Sequence, residues 1–443
     1  MQGQHAIHHD DEYGWQLFRH ADITRVLTDP KTFSSDTVRL FNEPQPDLDL
    51  FLTGNLVTND LPHHRRLRRA VNQSFTPRAV AGLAERITRT TESLLDGLSG
   101  ADTFDLIDAV AYPLPIIVVA EMLGLPPEDV PMYRAWGDAL GALDAATVPP
   151  KVMESEVAPA IREMNEYILG HVHRRRQNPA DDMLTGLAHA VVDDEPLRDA
   201  DLIGLVGLTL FAGHAASMAM IGNAILTFDR HPEALAAVRT DRGLLPGAIE
   251  ELMRLYPPFS RMARVTTTET EIRGQRIGKD ELVTLWVGAA NRDTERFTDP
   301  DRFDIHRDTG GHIAFGQGIH FCLGAPLARL EVGIALNALF DRYDDIAVDH
   351  AAGVEFENPM QIICPRRLPV RLTSNDILPR RAILRPEPWN PAPIRRDSRA
   401  TGLPVTSPSS RNGPPNEPTD RHERSRLVAD GENLLRRPAP TGN

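Results

Sequence analysis

The chain has 443 residues, 41% hydrophobic and 25% charged, the balance of a globular protein large enough for one big domain or two or three average ones. A net charge of −14 argues against nucleic acid as a partner. Two cysteines, Cys322 and Cys364, give no disulfide framework and fit a reducing, cytoplasmic setting, and the start M-Q-G-Q-H-A-I-H-H-D-D-E lacks the basic and apolar regions of a signal peptide.

Residues 13–34 read as a strand, Y-G-W-Q-L-F, and then a helix, A-D-I-T-R-V-L-T-D-P. Weak periodicity with Pro44, Pro46 and Gly54 predicts a loop over 36–58. Pro62 opens a helix over 63–80, where a proline is best tolerated. His64 and Arg68 stand at i, i+4 and share a face that suits a carboxylate; a solvated basic face is the bland alternative. Residues 84–200 are helical by pattern, with breaks at Pro113, Pro126–Pro127, Pro149–Pro150 and Pro179. Residues 202–228 hold no Asp, Glu, Lys or Arg. That run is long enough to span a bilayer. His214 and Asn223 inside it, and the lack of an aromatic belt or basic flank, instead predict a helix buried all round.

Glu251 and Arg254 follow at i, i+3 on one helix, which alone reads as a surface pair. Strand-like runs occupy 264–272 and 281–287. The stretch F-G-Q-G-I-H-F-C-L-G, residues 315–324, is a glycine-rich loop entering a helix predicted over 323–340. Cys322 sits at that entry, where backbone N–H groups and the positive helix end favour a thiolate. Such a sulfur is a nucleophile or a metal ligand; a buried structural cysteine is the alternative. The last 71 residues, 373–443, hold 12 of the 36 prolines and 12 Arg against 8 acidic residues. Without apolar periodicity this tail is expected to be disordered.

The Cys322 loop resembles the haem-binding loop of the cytochrome P450 family, F-x-x-G-x-x-x-C-x-G, at every fixed position. That family uses cysteine-thiolate haem ligation. Other blocks occur in family order. N-D-L-P-H-H-R-R-L-R (59–68) resembles D-P-P-x-H-x-x-x-R, with Leu61 in place of one proline. Glu251 and Arg254 match E-x-x-R, and Pro300, Asp301, Arg302 and Phe303 match P-x-R-F. The resemblance covers about residues 13–372; the chain begins later than the family pattern, and the 373–443 tail lies outside it.

The resemblance implies a mainly α fold with a small β region and haem b between the helical core and the Cys loop. It makes Cys322 the iron ligand. His64, Arg68, Arg264 and His320 would hold propionates, with Phe315 and Gly324 also against the haem. Glu251, Arg254 and Arg302 would form a structural ion pair, and Phe259, Met262 and Ile362 would line the substrate space, with the stretch 140–155 above it. The uncharged helix would cross the oxygen face. Ala212 and Gly213 match the family there and leave room for oxygen. The family's acid and alcohol are replaced by Ala215 and Ala216, so the catalytic candidates are Gly213, Ala216 and Ser217, one turn beyond Gly213. A hydroxyl bonded to its own helix is the alternative for Ser217. His214 is expected to pack rather than react.

The implied function is a monooxygenase that inserts one atom of O2 into a C–H bond. The A-G-H without an acid, P-P-F and R-x-T-T-T resemble macrolide- or polyketide-tailoring members. Implied partners are a small hydrophobic substrate, a ferredoxin docking on Arg65, Arg66 and Arg69, and a ferredoxin reductase, with no membrane and a monomeric state. Alternatives are peroxide-driven, coupling or desaturation chemistry, or a non-catalytic helper of the same fold.

Overall fold

The uncharged run folds as one helix, Asp199–Arg230, 32 residues long. Its first turn is closed by Asp201, whose carboxylate accepts from the Arg198 backbone N–H at 3.0 Å and from the Arg198 guanidinium at 2.8 Å. The computed structural model describes residues 6–40, 45–142, 152–360 and 362–374. Within them this long helix meets Pro46–Gly54, Pro113–Leu123, Ala158–Gln177 and Ala325–Arg342, and protein buries most of its surface. An apolar helix wrapped in other helices needs no membrane to be satisfied.

The loop predicted over 36–58 is corrected. It contains the helix Pro46–Gly54, with Pro46 in its first turn. Too short to be stable alone, the helix is held by packing. A Cβ on Gly204 would lie 2.3 Å from the Gly54 Cα, so two glycines allow the backbones to touch. Arg162 on Ala158–Gln177 pairs with Asp47 at 2.7 Å, and Asn165 donates to the Asp47 carbonyl at 2.8 Å. No local sequence signal carries those contacts.

The other helical breaks fall largely where proline puts them. Helix Pro113–Leu123 starts at Pro113 and ends at Gly124, whose φ of 78° is a left-handed cap. Helix Val130–Ala142 follows Pro126–Pro127. Pro149–Pro150 and most of the 140–155 stretch lie outside the described residues.

A five-stranded antiparallel sheet runs in the order Ile7–Asp10, Gly14–Leu17, Leu282–Leu285, Met262–Thr266, Phe33–Ser34. Its register sets Val283 opposite Arg264. A second sheet joins Tyr343–Val348, Pro369–Ser374 and Thr103–Asp105. The main core is helical; a smaller one, with Leu17, Ile23, Phe33 and Val283, lies under the five-stranded sheet. This is the mainly α architecture with a small β region that the sequence predicted. The last strand runs to Ser374, two residues past the expected boundary at 372. The rest of the proposed tail lies outside the described residues.

Candidate active site

The Cys322 loop is shaped by two glycines. Gly316 and Gly318 have φ of 67° and 70°, and a Cβ on Gly318 would lie 2.4 Å from the Leu27 carbonyl oxygen. Only glycine fits that turn. The loop then doubles back, so that the Cys322 N–H donates to the Phe315 carbonyl at 2.9 Å. Gly324 caps the helix Ala325–Arg342. The amides of Gly324 and Ala325 aim at the Cys322 sulfur, as a thiolate needs. Burial nevertheless outweighs them and the nearby Arg329 and Arg68, and pushes the thiol pKa up. The helix end alone therefore does not ionise this sulfur; a metal bound directly to it would. Cys322 remains partly accessible, whereas Cys364 is buried and bonds the Pro365 carbonyl at 3.1 Å.

Four cationic or imidazole side chains converge beside that loop. His64 is 2% exposed and neither of its ring nitrogens has a partner. Its ring lies 4.3 Å from the His320 ring. Burial and the neighbouring Arg68 bring the His64 pKa down to about 4. Burial, then Arg264, His64 and Arg68, bring His320 down to about 3. Burial lowers even Arg264 to about 10, with Asp60 opposing. Arg68 spends its guanidinium on the carbonyls of Ile319 and Phe321, at 3.0 and 2.7 Å. Two orphaned imidazole nitrogens among buried arginines suit an anionic partner. Haem propionates supply that charge, so the residues present fit the group. The sequence missed Ser35, whose hydroxyl bonds His320 Nε2 at 2.9 Å and whose N–H donates to Asp60 at 2.9 Å.

On the long helix, Leu208, Thr209, Phe211, Ala212, Gly213, Ala216 and Met218 stay partly accessible. Thr209, Ala212, Gly213 and Ala216 among them form one partly open stripe. A Cβ on Gly213 would lie 2.8 Å from Val119 Cγ2, so its missing side chain also admits the helix Pro113–Leu123. Ser217 does not bond its own helix. Its Oγ donates to Glu331 Oε2 at 2.5 Å, and both residues are buried. Burial pushes the Glu331 carboxyl up to about 8 against the Ser217 hydrogen bond, and Oε1 has no partner. Glu331 was overlooked in the sequence, although a lone carboxylate inside the apolar run 323–340 is a signal. His214 packs as expected: Nδ1 donates to the Leu210 carbonyl at 2.7 Å, and its ring lies 5.3 Å from Tyr112.

Phe259 and Ile362 pair in an isolated antiparallel bridge, so these two predicted lining residues come together. Met262 does not join them. Its terminal methyl would lie 3.5 Å from a Cβ on Gly316, and it packs on the smaller core. Strand alternation turns it toward the Cys loop. Ser260, between them in sequence, has a buried hydroxyl without a partner.

The structural ion pair also changes. Arg254, fully buried, grips Glu251 through Nε to Oε2 at 2.7 Å and Nη2 to Oε1 at 2.9 Å. The third member is Arg307, whose Nε donates to Glu251 Oε1 at 3.0 Å. Arg302 lends only its carbonyl, which accepts from Arg307 at 3.1 Å and from Arg254 at 3.5 Å, while its side chain is exposed on the turn after Asp299. The expected basic patch carries surface ion pairs. Arg66 pairs with Glu195 at 2.8 Å and Arg69 with Asp193 at 2.5 Å, both acids on the hairpin joining Val191–Val192 to Glu195–Pro196.

Residues 146–367 match the cytochrome P450 family model. Cyclomarin C epoxidase CymV of Salinispora arenicola is 39% identical over 369 residues, covering 83% of this chain and 93% of the relative. Erythromycin C-12 hydroxylase of Saccharopolyspora erythraea is 40% identical over 342 residues, 76% of this chain and 84% of the relative. The crystal structure of a mutant of P450 EryK in complex with erythromycin B, 36% identical, superposes with a TM-score of 0.77 over 86% of this chain and 96% of that one. A cysteine loop, a cluster of cations lacking an anion and an open stripe on the central helix thus meet in a fold shared along nearly its whole length with these relatives, and the chain belongs to the cytochrome P450 family of haem-thiolate monooxygenases.

Proposed function

We propose that Cys322 ligates the iron of haem b, that His64, Arg68, Arg264 and His320 neutralise its propionates, and that the chain hydroxylates or epoxidises a macrolactone or related polyketide. The observation that carries the haem reading is the convergence of those four side chains, with His64 unpartnered, beside a cysteine whose own burial opposes ionisation. Bound there, the haem supplies dioxygen activation with electrons from outside. Everything else is the protein's part. Phe315 and Gly324 shape the loop around the sulfur. Ala212 and Ala216 keep the oxygen side of the long helix open, and Phe259 and Ile362 wall the substrate side.

The acid and alcohol that the family carries at the positions of Ala215 and Ala216 are replaced in space by Glu331 and Ser217. A carboxyl with pKa near about 8 holds its proton at neutral pH, and Ser217 Oγ can pass a proton from Glu331 toward the open stripe. Glu331→Gln keeps the shape and removes the exchangeable acid. It is expected to lower product per electron by about 10²-fold while leaving substrate-induced spectral shifts intact. The same pair sets a pH dependence of stability. The folded-state pKa lies above the ordinary 4.5, so wild type loses stability as pH rises between those two values. The Gln variant should show a flatter melting temperature from pH 5 to 8, and an unchanged slope would count against a buried neutral Glu331.

Substrate class rests on the relatives, among them erythromycin C-12 hydroxylase and 6-deoxyerythronolide B hydroxylase, and on the departure at Ala215 and Ala216. Electrons come from a ferredoxin and its reductase. With Arg66 and Arg69 paired and Arg68 turned to the loop carbonyls, Arg65 stands exposed on that helix and available to an acidic partner. The protein works as a cytoplasmic monomer. Titrating the ferric protein with macrolactones, other polyketides, terpenoids and fatty acids tests the substrate. A blue shift of the Soret band is expected with macrolactones; a shift with another class alone overturns the macrolactone reading.

A further inference from the structure

The Cys322 loop is gripped by a charged cluster outside the haem contacts. Arg329 lies seven residues after Cys322, about one turn along the helix Ala325–Arg342. Its guanidinium carbon stands 4.3 Å from the centroid of the Phe315 ring. The same guanidinium makes a two-pronged ion pair with Glu250, Nε to Oε1 at 2.5 Å and Nη2 to Oε2 at 2.8 Å. His312 Nε2 donates to Glu250 Oε2 at 3.0 Å, and its Nδ1 accepts from the Ala314 N–H at 3.3 Å. Burial opposes ionisation of Glu250, but the bonds from Arg329 and His312 outweigh it and hold the carboxyl down at about 2. The pair is therefore charged at every working pH.

Three segments are tied together by this cluster. Helix Leu245–Leu255 supplies Glu250, the helix after the cysteine supplies Arg329, and the loop supplies His312 and Phe315. Phe315 is in turn bonded to Cys322, its carbonyl accepting the Cys322 N–H at 2.9 Å. Arg329 and Arg68 are the two cations whose charge reaches the sulfur. A planar, forked guanidinium that stacks on an aromatic ring while holding a carboxylate is a task lysine cannot copy.

We infer that Arg329, held against Phe315 and the Cys322 loop by Glu250, sets the ferric–ferrous equilibrium through its charge, with Glu250 as the counterweight. The inference rests on Cys322 being the haem ligand. Reduction adds one negative charge to the site, so a nearby cation favours it and a nearby anion opposes it. Removing the anion and removing the cation must then push the equilibrium in opposite directions. Loosening of the loop would push both variants the same way.

The test is a spectroelectrochemical titration of haem-loaded wild type, Glu250→Gln, Arg329→Met and Arg329→Lys. Glu250→Gln should raise the midpoint potential and Arg329→Met should lower it, each by about threefold or more in the equilibrium, a tenfold change being about 59 mV for one electron. Arg329→Lys keeps the charge and should lie between wild type and Arg329→Met. Shifts of one sign in both variants, or none, overturn the inference. If Arg329→Met does not hold haem, Glu250→Gln and Arg329→Lys decide: a raised potential in the first with a smaller, lowered one in the second supports it, and any other pair of results overturns it. Wild-type ferrous protein with carbon monoxide gives the separate control. Without the red-shifted band of thiolate ligation the Cys322 assignment fails; with it, only the role of Arg329 is at stake.

Discussion

Cys322→Ser is expected to abolish the red-shifted carbon monoxide band and oxygen insertion while leaving the apo fold intact. A hydroxyl is close in shape to the thiol and can accept from the same Gly324 and Ala325 amides, so the melting temperature of haem-free protein should stay within a few degrees of wild type. Activity should fall by more than the 10- to 100-fold typical of changes beyond the ligand itself (roughly that range for outer-shell residues). The loop geometry is set by Gly316, Gly318 and the Cys322–Phe315 backbone bond rather than by the sulfur. Haem uptake by the variant through His64, Arg68, Arg264 and His320, without the thiolate band, would separate propionate binding from iron ligation. A thiolate band that survives the substitution would remove Cys322 from the site.

Breaking the Glu251–Arg254 pair is expected to cost the most stability of any single change. Arg254 is fully buried, and beyond Glu251 its Nη1 donates to the carbonyls of Asn291 and Pro300, each at 2.7 Å. Arg254→Ala would strand a buried carboxylate and two carbonyls. Removing one partner of a buried pair costs about 3–5 kcal/mol, or on the order of 10 °C in melting temperature for a chain of this size. Arg307 still reaches Glu251 and keeps the loss near the lower end. Arg307→Ala should cost less than Arg254→Ala but clearly more than Arg302→Ala, which should stay within about 0.5 kcal/mol as an exposed position does. Equal losses at 302 and 307 would restore Arg302 to the network. Thermal melts of the three alanine variants decide this.

The chain itself determined the class of chemistry. The uncharged run 202–228 specified the long buried helix, and two glycines between an aromatic and a cysteine specified a tight loop. Those signals are local, because a helix face and a tight turn are fixed by residues a few positions apart. Tertiary structure decided what depends on contacts far apart in the chain. The helix Pro46–Gly54 exists because Gly54 can touch Gly204, and the second arginine at Glu251 is Arg307 because the chain after Phe303 turns back inward while Arg302 faces out. Arg66 and Arg69 lose their apparent freedom to a hairpin some 125 residues away. Ser217 acquires its acid partner from Glu331, 114 positions along the chain. A hydrogen-bonded pair spanning two helices is invisible to spacing, since the two helices are brought together only by the packed core.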